Sequence, residues 1–175
     1  IERTENKLHT LPHDYLNNTN LHVNDIYYHH PTGKVFIGTF QEGVYVYDTI
    51  LQQIKPLENE LKDITINCIR YFNENEILIG TDGTGVYKIN AKSLQTEPYI
   101  VADYTSYNAM NGNNISDIYI DNEKRIWMAN YPFGITVRDD RYPRYKWIKH
   151  SKKNPQSLVN NQVNAILEDM EGDLW

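Results

Sequence analysis

Three short segments of the sequence contain residue types that could bind a metal or a phosphate. Asp169, Glu171 and Asp173 resemble the spaced oxygen ligands of a calcium loop. His29 and His30 could ligate a metal, but neighbouring residues on a strand point to opposite faces, so we expect a turn role instead. The glycine-rich run from Gly80 to Gly85 resembles a phosphate loop, yet it precedes a predicted strand, and phosphate loops need a helix N-terminus.

No pattern in the sequence specifies catalysis. A G-x-S-x-G nucleophile elbow and an H-E-x-x-H zinc pair are both absent from the sequence. Carboxylates are plentiful, but their spacing does not single out the acid and nucleophile pair of a glycosidase. We therefore predict no catalytic residue, no metal site and no cofactor for this segment.

Charge and cysteine content exclude several classes of protein. The formal net charge of -6 argues against nucleic-acid binding, because phosphate neutralisation needs a basic surface. Cys68 is the single cysteine, so an intramolecular disulfide and a zinc cluster are impossible, and we expect a buried thiol. No apolar run is long enough to span a membrane.

The composition favours strands. The chain of 175 residues contains 19 Ile, 9 Val and 14 Tyr but only 5 Ala, and β-branched and aromatic side chains pack well on a pleated sheet. Its 20 Asn, 9 Gly and 7 Pro supply the turn residues that many short strands need. An all-β fold is the prediction.

A repeated four-residue pattern organises the chain: a β-branched residue, a polar residue, a small or polar residue, and isoleucine. Its copies start 43, 49 and 48 residues apart, at Val23, Ile66, Ile115 and Val163. Downstream, segments that begin at Val35, Ile77 and Ile126 align with one another without a gap. A period of about 40 to 50 residues with several short strands is typical of a β-propeller blade.

The sequence thus predicts a β-propeller fragment of about three four-stranded antiparallel blades, with partial blades at both ends. The predicted units are 1–22 (the end of a preceding blade or a linker), 23–65, 66–114 and 115–162 (blade repeats 1 to 3), and 163–175 (the truncated start of repeat 4).

Turn residues divide each predicted blade into strands. The least regular strands are the fourth ones, predicted at Ile54–Leu57, Pro98–Val101 and Tyr145–Ile148. Gly43, Gly85 and Gly134 recur at the start of the third strand, where a residue without Cβ permits a positive φ or a close backbone approach.

The repeats resemble those of the two-component regulator propellers, whose pattern runs roughly N-x-V-x-x-I-x-x-D-x-x-G-x-L-W-I-G-T. The fourth copy, N-N-Q-V-N-A-I-L-E-D-M-E-G-D-L-W, matches that opening, and the first two copies keep Ile37–Thr39 and Ile79–Thr81. Phe36 and Leu78 replace the family tryptophan. The family's D-x-x-G turn also explains Asp169 without a metal, although D-x-x-G-x-x-W is similar to the Asp-box turns of sialidase propellers.

The resemblance implies a non-catalytic, extracytoplasmic sensor segment of a hybrid two-component signalling protein, located in the periplasm as part of an inner-membrane protein. Such sensors detect oligosaccharides. Two alternatives remain open: a propeller enzyme, such as a glycosidase or lyase, and a structural spacer or interaction propeller. The full-length gene would discriminate among them, because a membrane helix and kinase downstream support the sensor.

One face of the predicted blades carries the candidate ligand site. The loops between strands two and three, together with the connections between blades, emerge on this face. Aromatic rings flanked by amides and carboxylates suit sugars, whose apolar faces stack while their hydroxyls form hydrogen bonds. The candidate ligand-binding residues are Phe40, Glu42, Asp82, Tyr107, Tyr131 and Phe133. Packing of these rings between blades is the alternative.

The need to close the propeller ring predicts the partners of this segment. Three blades and a remnant cannot close the ring of about four to eight blades that protects propeller edges, so we expect the segment to pack against further blades of a larger propeller. An isolated segment should self-associate through its uncovered faces. Nucleic acid and membrane contacts are not expected.

Overall fold

The computed structural model describes residues 21–103, 110–141 and 144–175. This part of the chain contains twelve β-strands and one short 3-10 helix, His30–Thr32. The strands are β1 (Val23–His29), β2 (Lys34–Thr39), β3 (Val44–Asp48), β4 (Gln53–Pro56), β5 (Ile66–Asn73), β6 (Glu76–Thr81), β7 (Val86–Asn90), β8 (Thr96–Ile100), β9 (Ile115–Ile120), β10 (Ile126–Asn130), β11 (Gly134–Asp139) and β12 (Arg144–Ile148).

The strands form three four-stranded antiparallel sheets, each with its strands in sequence order. We call these sheets blade 1 (β1–β4), blade 2 (β5–β8) and blade 3 (β9–β12). The predicted all-β propeller fragment is confirmed. The fourth strands begin one or two residues earlier than predicted, because the pairing of β4, β8 and β12 with the third strands starts at Gln53, Thr96 and about Tyr145 and includes the residues just after the turns.

The first strands of the three blades contact one another in series, so the sheets converge at β1, β5 and β9 and diverge outward. Apolar side chains fill the two wedges between them. Phe36 and Val46 of blade 1 pack with Ile77 and Ile79 of blade 2. On the other face of blade 2, Leu78 packs with the first residues of blade 3. Strand β6 is therefore buried on both faces, which explains its continuous apolar run.

Local turn chemistry closes the first hairpin of each blade. In blade 1, the 3-10 helix ends at Gly33, whose φ of 64° is left-handed. In blade 2, Asn73 accepts a hydrogen bond from the amide of Asn75 at 3.0 Å. In blade 3, Asp121 holds the corresponding turn. Asparagine and aspartate suit these positions because their side chains bond to nearby backbone amides.

Gly43, Gly85 and Gly134 precede or begin the third strands, and both reasons predicted for glycine apply. Their φ angles are 74°, 91° and 92°. A Cβ at Gly85 would lie 2.5 Å from the carbonyl oxygen of Ile100. Equivalent backbone contacts exist for Gly43 and Gly134. In each blade, a glycine with a left-handed φ therefore precedes or begins the third strand, and it lies in close contact with the backbone of the segment that leaves the blade.

Side chains of one blade satisfy backbone groups on the inner strand of the next. Asn24 donates through Nδ2 to the carbonyl oxygen of Ile66 at 3.0 Å, and Asn67 donates in the same way to Ile115 at 3.0 Å. These asparagines occupy equivalent positions of the repeat. We call these two contacts the amide staples.

Carboxylates one residue further along the repeat make a second set of contacts. The amide of Ile69 donates to Asp25 at 2.8 Å, and the amide of Ile166 donates to Asp117 at 3.0 Å. Blade 2 has Cys68 at this position. Arg70 of the same strand instead reaches both neighbours, with 2.6 Å to Asp25 and 2.5 Å to Asp117.

The residues that follow blade 3 pack against it and begin a further hairpin. Ile166 is buried beside blade 3, and Glu168 and Leu174 form an antiparallel bridge that starts a hairpin. In the described part of the chain, no helix has the length and apolar character needed to cross a membrane.

We predict that Gly85→Ala lowers the free energy of unfolding by about 3 kcal/mol. Roughly 1 to 2 kcal/mol comes from placing a Cβ in the left-handed region, and the remainder from its clash with the Ile100 carbonyl. Urea unfolding followed by tryptophan fluorescence measures the loss.

Gly83→Ala is the matched control, because Gly83 has a φ of 98° and no atom within 4 Å of a built Cβ. It should cost about 1 to 2 kcal/mol from backbone strain alone. Equal losses in the two variants would show that close approach does not constrain Gly85.

Candidate ligand-binding face

An open depression of about 570 Å³ lies where the inner strands begin, on the face that carries the loops between second and third strands. Three of its residues, Asn24, Asn67 and Ser116, occupy the same position of the first three repeats. The remaining lining residues are Val23, Asp82, Asn114 and Tyr131. We call this depression the mouth.

The amide staples fix the orientation of two lining residues. A backbone carbonyl can only accept, so Nδ2 of Asn24 must face Ile66, and Nδ2 of Asn67 must face Ile115. The Oδ1 atoms of both asparagines have no partner among the described residues. Repetition along the chain thus produces a row of similar polar groups at the mouth.

Asp82 lies at the edge of the mouth and joins blade 2 to the connection that leads to blade 3. Asn114 donates through Nδ2 to Asp82 Oδ1 at 2.5 Å, and the two residues form an isolated antiparallel bridge. The amide of Asp82 also donates to the carbonyl of Thr65 at 3.0 Å. Asp82 is exposed and is the one carboxylate among the lining residues.

Tyr131 supplies the aromatic surface of the mouth. Its side chain is 44% exposed, and its backbone amide donates to the carbonyl of Asn114 at 3.0 Å. Phe133, in the same loop, packs over the backbone of Gly112, where a Cβ would lie 2.6 Å from the ring. The structure therefore separates these two predicted residues: Tyr131 faces the mouth, and Phe133 packs on the connection between blades.

Phe40 and Glu42, two further predicted site residues, are not among the lining residues of the mouth. The Phe40 ring makes an edge contact with His22 at a centroid distance of 6.1 Å, and it remains partly exposed. Glu42 accepts a hydrogen bond from the Tyr45 hydroxyl at 3.1 Å. Burial and this hydrogen bond raise the pKa of Tyr45. Tyr107 lies outside the described residues.

The sequence interpretation did not single out Asn24, Asn67, Asn114 or Ser116 as site residues. For Asn24, Asn67 and Ser116 the signal is in the sequence, because the second position of the four-residue repeat is polar in every copy. The pattern by itself predicts the inner strands and not a shared site. Its polar position lies beside the mouth because all inner strands begin at the same end of the converging sheets.

The segment that resembles a calcium loop is a hydrogen-bonded turn. Asp169 Oδ1 accepts from the amides of Glu171 and Asp173, and Oδ2 accepts from the Trp175 indole at 2.7 Å. These bonds, the indole's first, hold the pKa of Asp169 below its usual range. Across the described residues, no group of three or more potential metal-ligating side chains is placed to hold an ion.

Blade 3 contains the same turn. Asp121 Oδ1 accepts from the amides of Glu123 and Arg125, while Oδ2 accepts from the Trp127 indole at 2.8 Å. Burial raises the pKa of Asp121, but the bonds from Trp127 and Arg125 outweigh it and leave the pKa lowered. Phe36 and Leu78 replace this tryptophan in blades 1 and 2, and neither blade has the aspartate six residues before it.

The remaining sequence candidates have structural roles. His29 is buried and His30 exposed, as their opposite orientations on a strand predict. Nδ1 of His29 lies 2.9 Å from the Thr32 hydroxyl and holds the turn. Cys68 is buried, and burial raises the pKa of its thiol to about 12, so it stays protonated at neutral pH. Gly80–Gly85 leads into strand β7, which removes the helix that a phosphate loop needs.

Comparison with protein families gives one match. The profile described as "Pep3/Vps18/deep orange beta-propeller domain" matches residues 5–166. Comparison with curated protein sequences finds no match.

Solved structures share the fold. The extracellular domain of the hybrid two component system BT4673 from B. thetaiotaomicron superposes with a TM-score of 0.64 at 19% identity, over 81% of this chain and 18% of that one. The corresponding domain of BT3049 gives a TM-score of 0.63 at 22% identity, over 82% of this chain and 17% of that one. The predicted resemblance to two-component propellers is confirmed by these neighbours at the level of fold.

A second kind of neighbour is an auxiliary nutrient binding protein from Bacteroides ovatus. It gives a TM-score of 0.63 at 10% identity, over 87% of this chain and 35% of that one. The chain therefore spans less than a fifth of the two-component neighbours and about a third of the nutrient binding protein.

We predict that Asp121→Asn lowers the free energy of unfolding by about 1 to 2 kcal/mol at neutral pH, because the variant keeps the turn-forming oxygen but loses the acceptor of the Trp127 indole. A lowered pKa in the folded state means that the carboxylate stabilises the fold above the unfolded pKa of about 3.9. That contribution is lost as the pH falls through the folded pKa. Urea midpoints measured between neutral and acidic pH test this.

Asp48→Asn is the matched control, because Asp48 holds a turn through Oδ1 but accepts no indole bond. It should change the midpoint less than Asp121→Asn does. A difference between parent and Asp121→Asn that stays constant into strong acid would contradict the prediction.

Proposed function

The chain belongs to the Pep3/Vps18/deep orange β-propeller domain family, and from this premise we propose that it is a non-catalytic sensor segment that binds oligosaccharide at the mouth. The proposal extends to its setting: the extracytoplasmic, periplasmic part of a hybrid two-component signalling protein in the inner membrane. Shared fold with extracellular domains of such systems and with a nutrient binding protein supports this setting.

The observation that carries the proposal is the composition of the mouth. Amide, hydroxyl and carboxylate groups surround an open depression, and the half-exposed ring of Tyr131 lies at its edge. Sugars bind to such surfaces because one face of the pyranose ring is apolar and stacks, while its hydroxyls exchange hydrogen bonds with polar side chains. Two other depressions contain ion pairs: Lys88 with Glu76 and Glu97 in one, and Arg141 with Glu123 and Asp139 in the other.

The same composition favours binding over hydrolysis. Glycoside hydrolysis ordinarily uses two carboxyl groups about 5 to 10 Å apart on either side of the scissile bond. Asp82 is the one carboxylate that lines the mouth, and one of its oxygens already accepts from Asn114. A glycosidase of this kind at the mouth would lack the second carboxylate among the described lining residues.

We predict that Tyr131→Ala weakens oligosaccharide binding about tenfold, because the variant removes the stacking surface at the edge of the mouth. Screening on an array of neutral glycans identifies a binding oligosaccharide, and titration calorimetry with that sugar measures the affinity. Tyr71→Ala is the matched control, since Tyr71 is 47% exposed and lines a depression between blades 2 and 3 away from the mouth.

Two results would contradict the proposal. If Tyr131→Ala and the parent chain bind the oligosaccharide with equal affinity, the mouth is not the binding site. Turnover of a glycoside that Asp82→Asn abolishes would make the segment an enzyme.

We also propose that the outer face of blade 1 packs against a further blade, and that in the isolated chain a second copy takes its place. Ile26 is 60% exposed, whereas its repeat equivalents Ile69, Ile118 and Ile166 are 1%, 1% and 8% exposed. The equivalent isoleucines are buried between sheets. The exposure of Ile26 therefore supports a further sheet against the outer face of blade 1.

Sedimentation tests this partner. The parent chain should self-associate as its concentration rises, and Ile26→Lys should shift it toward the monomer. Ile50→Lys, at a position 80% exposed in a turn, should leave association unchanged. A parent chain that remains a monomer at high concentration would overturn the proposal.

A further inference from the structure

From the geometry of the mouth we infer its selectivity: it accepts neutral or cationic oligosaccharides and rejects acidic ones such as uronate oligomers. The inference rests on the proposed function, because it concerns the same depression. It depends on which hydrogen-bonding atoms of Asn24, Asn67 and Asp82 remain available and on the charges around them.

The available atoms include donors and acceptors. Each amide staple uses one N–H of its asparagine on a backbone carbonyl, which leaves the second N–H available, together with an Oδ1 that has no partner among the described residues. Asp82 uses Oδ1 on Asn114, and Oδ2 has no partner among the described residues. The mouth therefore offers neutral amides, which exchange hydrogen bonds with sugar hydroxyls, and a carboxylate oxygen that accepts from hydroxyl or ammonium groups.

The charge that the described lining residues bring to the mouth is negative. Asp82 carries a negative charge, and none of the lining residues is lysine, arginine or histidine. The chain as a whole has a formal net charge of -6. A uronate carboxylate or a sulfate bound here would lie beside Asp82 without a compensating cation among the described lining residues, and it would lose part of its hydration without gaining an ion pair.

Three arginines elsewhere in the described part of the chain supply no free cation. Arg70 is held between Asp25 and Asp117. Arg141 pairs with Glu123 at 2.7 Å and Asp139 at 2.8 Å. Arg125 pairs with Asp121 at 2.5 Å. Each of these guanidinium groups is already bonded to carboxylates.

The test uses the full 175-residue chain and three hexasaccharides of different charge. N-acetylated chitin hexamer is neutral, deacetylated chitosan hexamer with protonated amines is cationic, and oligogalacturonate hexamer is anionic. Calorimetry at low and at physiological salt separates charge effects from hydrogen bonding, because salt screens only the former. We expect the anionic hexamer to bind at least tenfold more weakly than the neutral one at low salt.

Asp82→Asn supplies the decisive variant, because the amide keeps an oxygen for Asn114 and removes the charge. It should bring the ratio of the anionic-hexamer affinity to the neutral-hexamer affinity close to one, a change of about tenfold from the parent ratio. Asp140→Asn removes an exposed carboxylate that pairs with Arg138 away from the mouth, and it should change neither affinity.

The outcomes separate the two proposals. If the parent chain binds the anionic hexamer as tightly as the neutral one, or if Asp82→Asn leaves their ratio unchanged, the inferred selectivity is wrong while oligosaccharide binding stands. If none of the three hexamers binds, the proposed oligosaccharide function and the selectivity that rests on it are both wrong.

Discussion

The inner edges of the sheets set the central constraint on this structure. A strand edge carries unpaired backbone donors and acceptors, and leaving them buried without partners costs free energy. Here the side chains of one blade supply those partners: Asn24 bonds the carbonyl of Ile66, and Asp25 bonds the amide of Ile69. Because both bonds have fixed lengths, they set the spacing of neighbouring sheets. The apolar wedges between the blades then have defined dimensions that side chains such as Phe36 and Leu78 fill.

The mouth is a product of the same constraint. The asparagines that form the amide staples belong to the polar row of the mouth. The groups that they offer to a ligand are therefore the atoms that these bonds do not use. Binding and assembly consequently share side chains. A ligand that bonds to Oδ1 of Asn24 and Asn67 contacts blades 1 and 2, and it is linked to blade 3 through the bond from Asn67 to Ile115.

The fold was predictable from the sequence because the repeats supply independent estimates of the same strands. Gly85 illustrates this: its equivalents at positions 43 and 134 identified the start of the third strand before any coordinates. The site was less predictable. Tyr131 and Phe133 have the same residue class and loop, and only the backbone of Gly112 decides which ring is packed. Likewise, Asn24 appears in the sequence as one polar residue of a strand, and its position beside the mouth depends on the convergence of the sheets.

Cys68 has a consequence for the evolutionary history of such repeats. A duplication that copied Asp25 into position 68 would place a third carboxylate around the single guanidinium of Arg70, which already bonds two. The neighbouring space is also filled, since a Cβ at Gly80 would lie 2.5 Å from the Cys68 sulfur. Blades that descend from one ancestral unit have therefore ceased to be interchangeable. Recombination that exchanges blade 2 for blade 1 would preserve the fold of each sheet and disrupt the polar contacts between neighbouring blades.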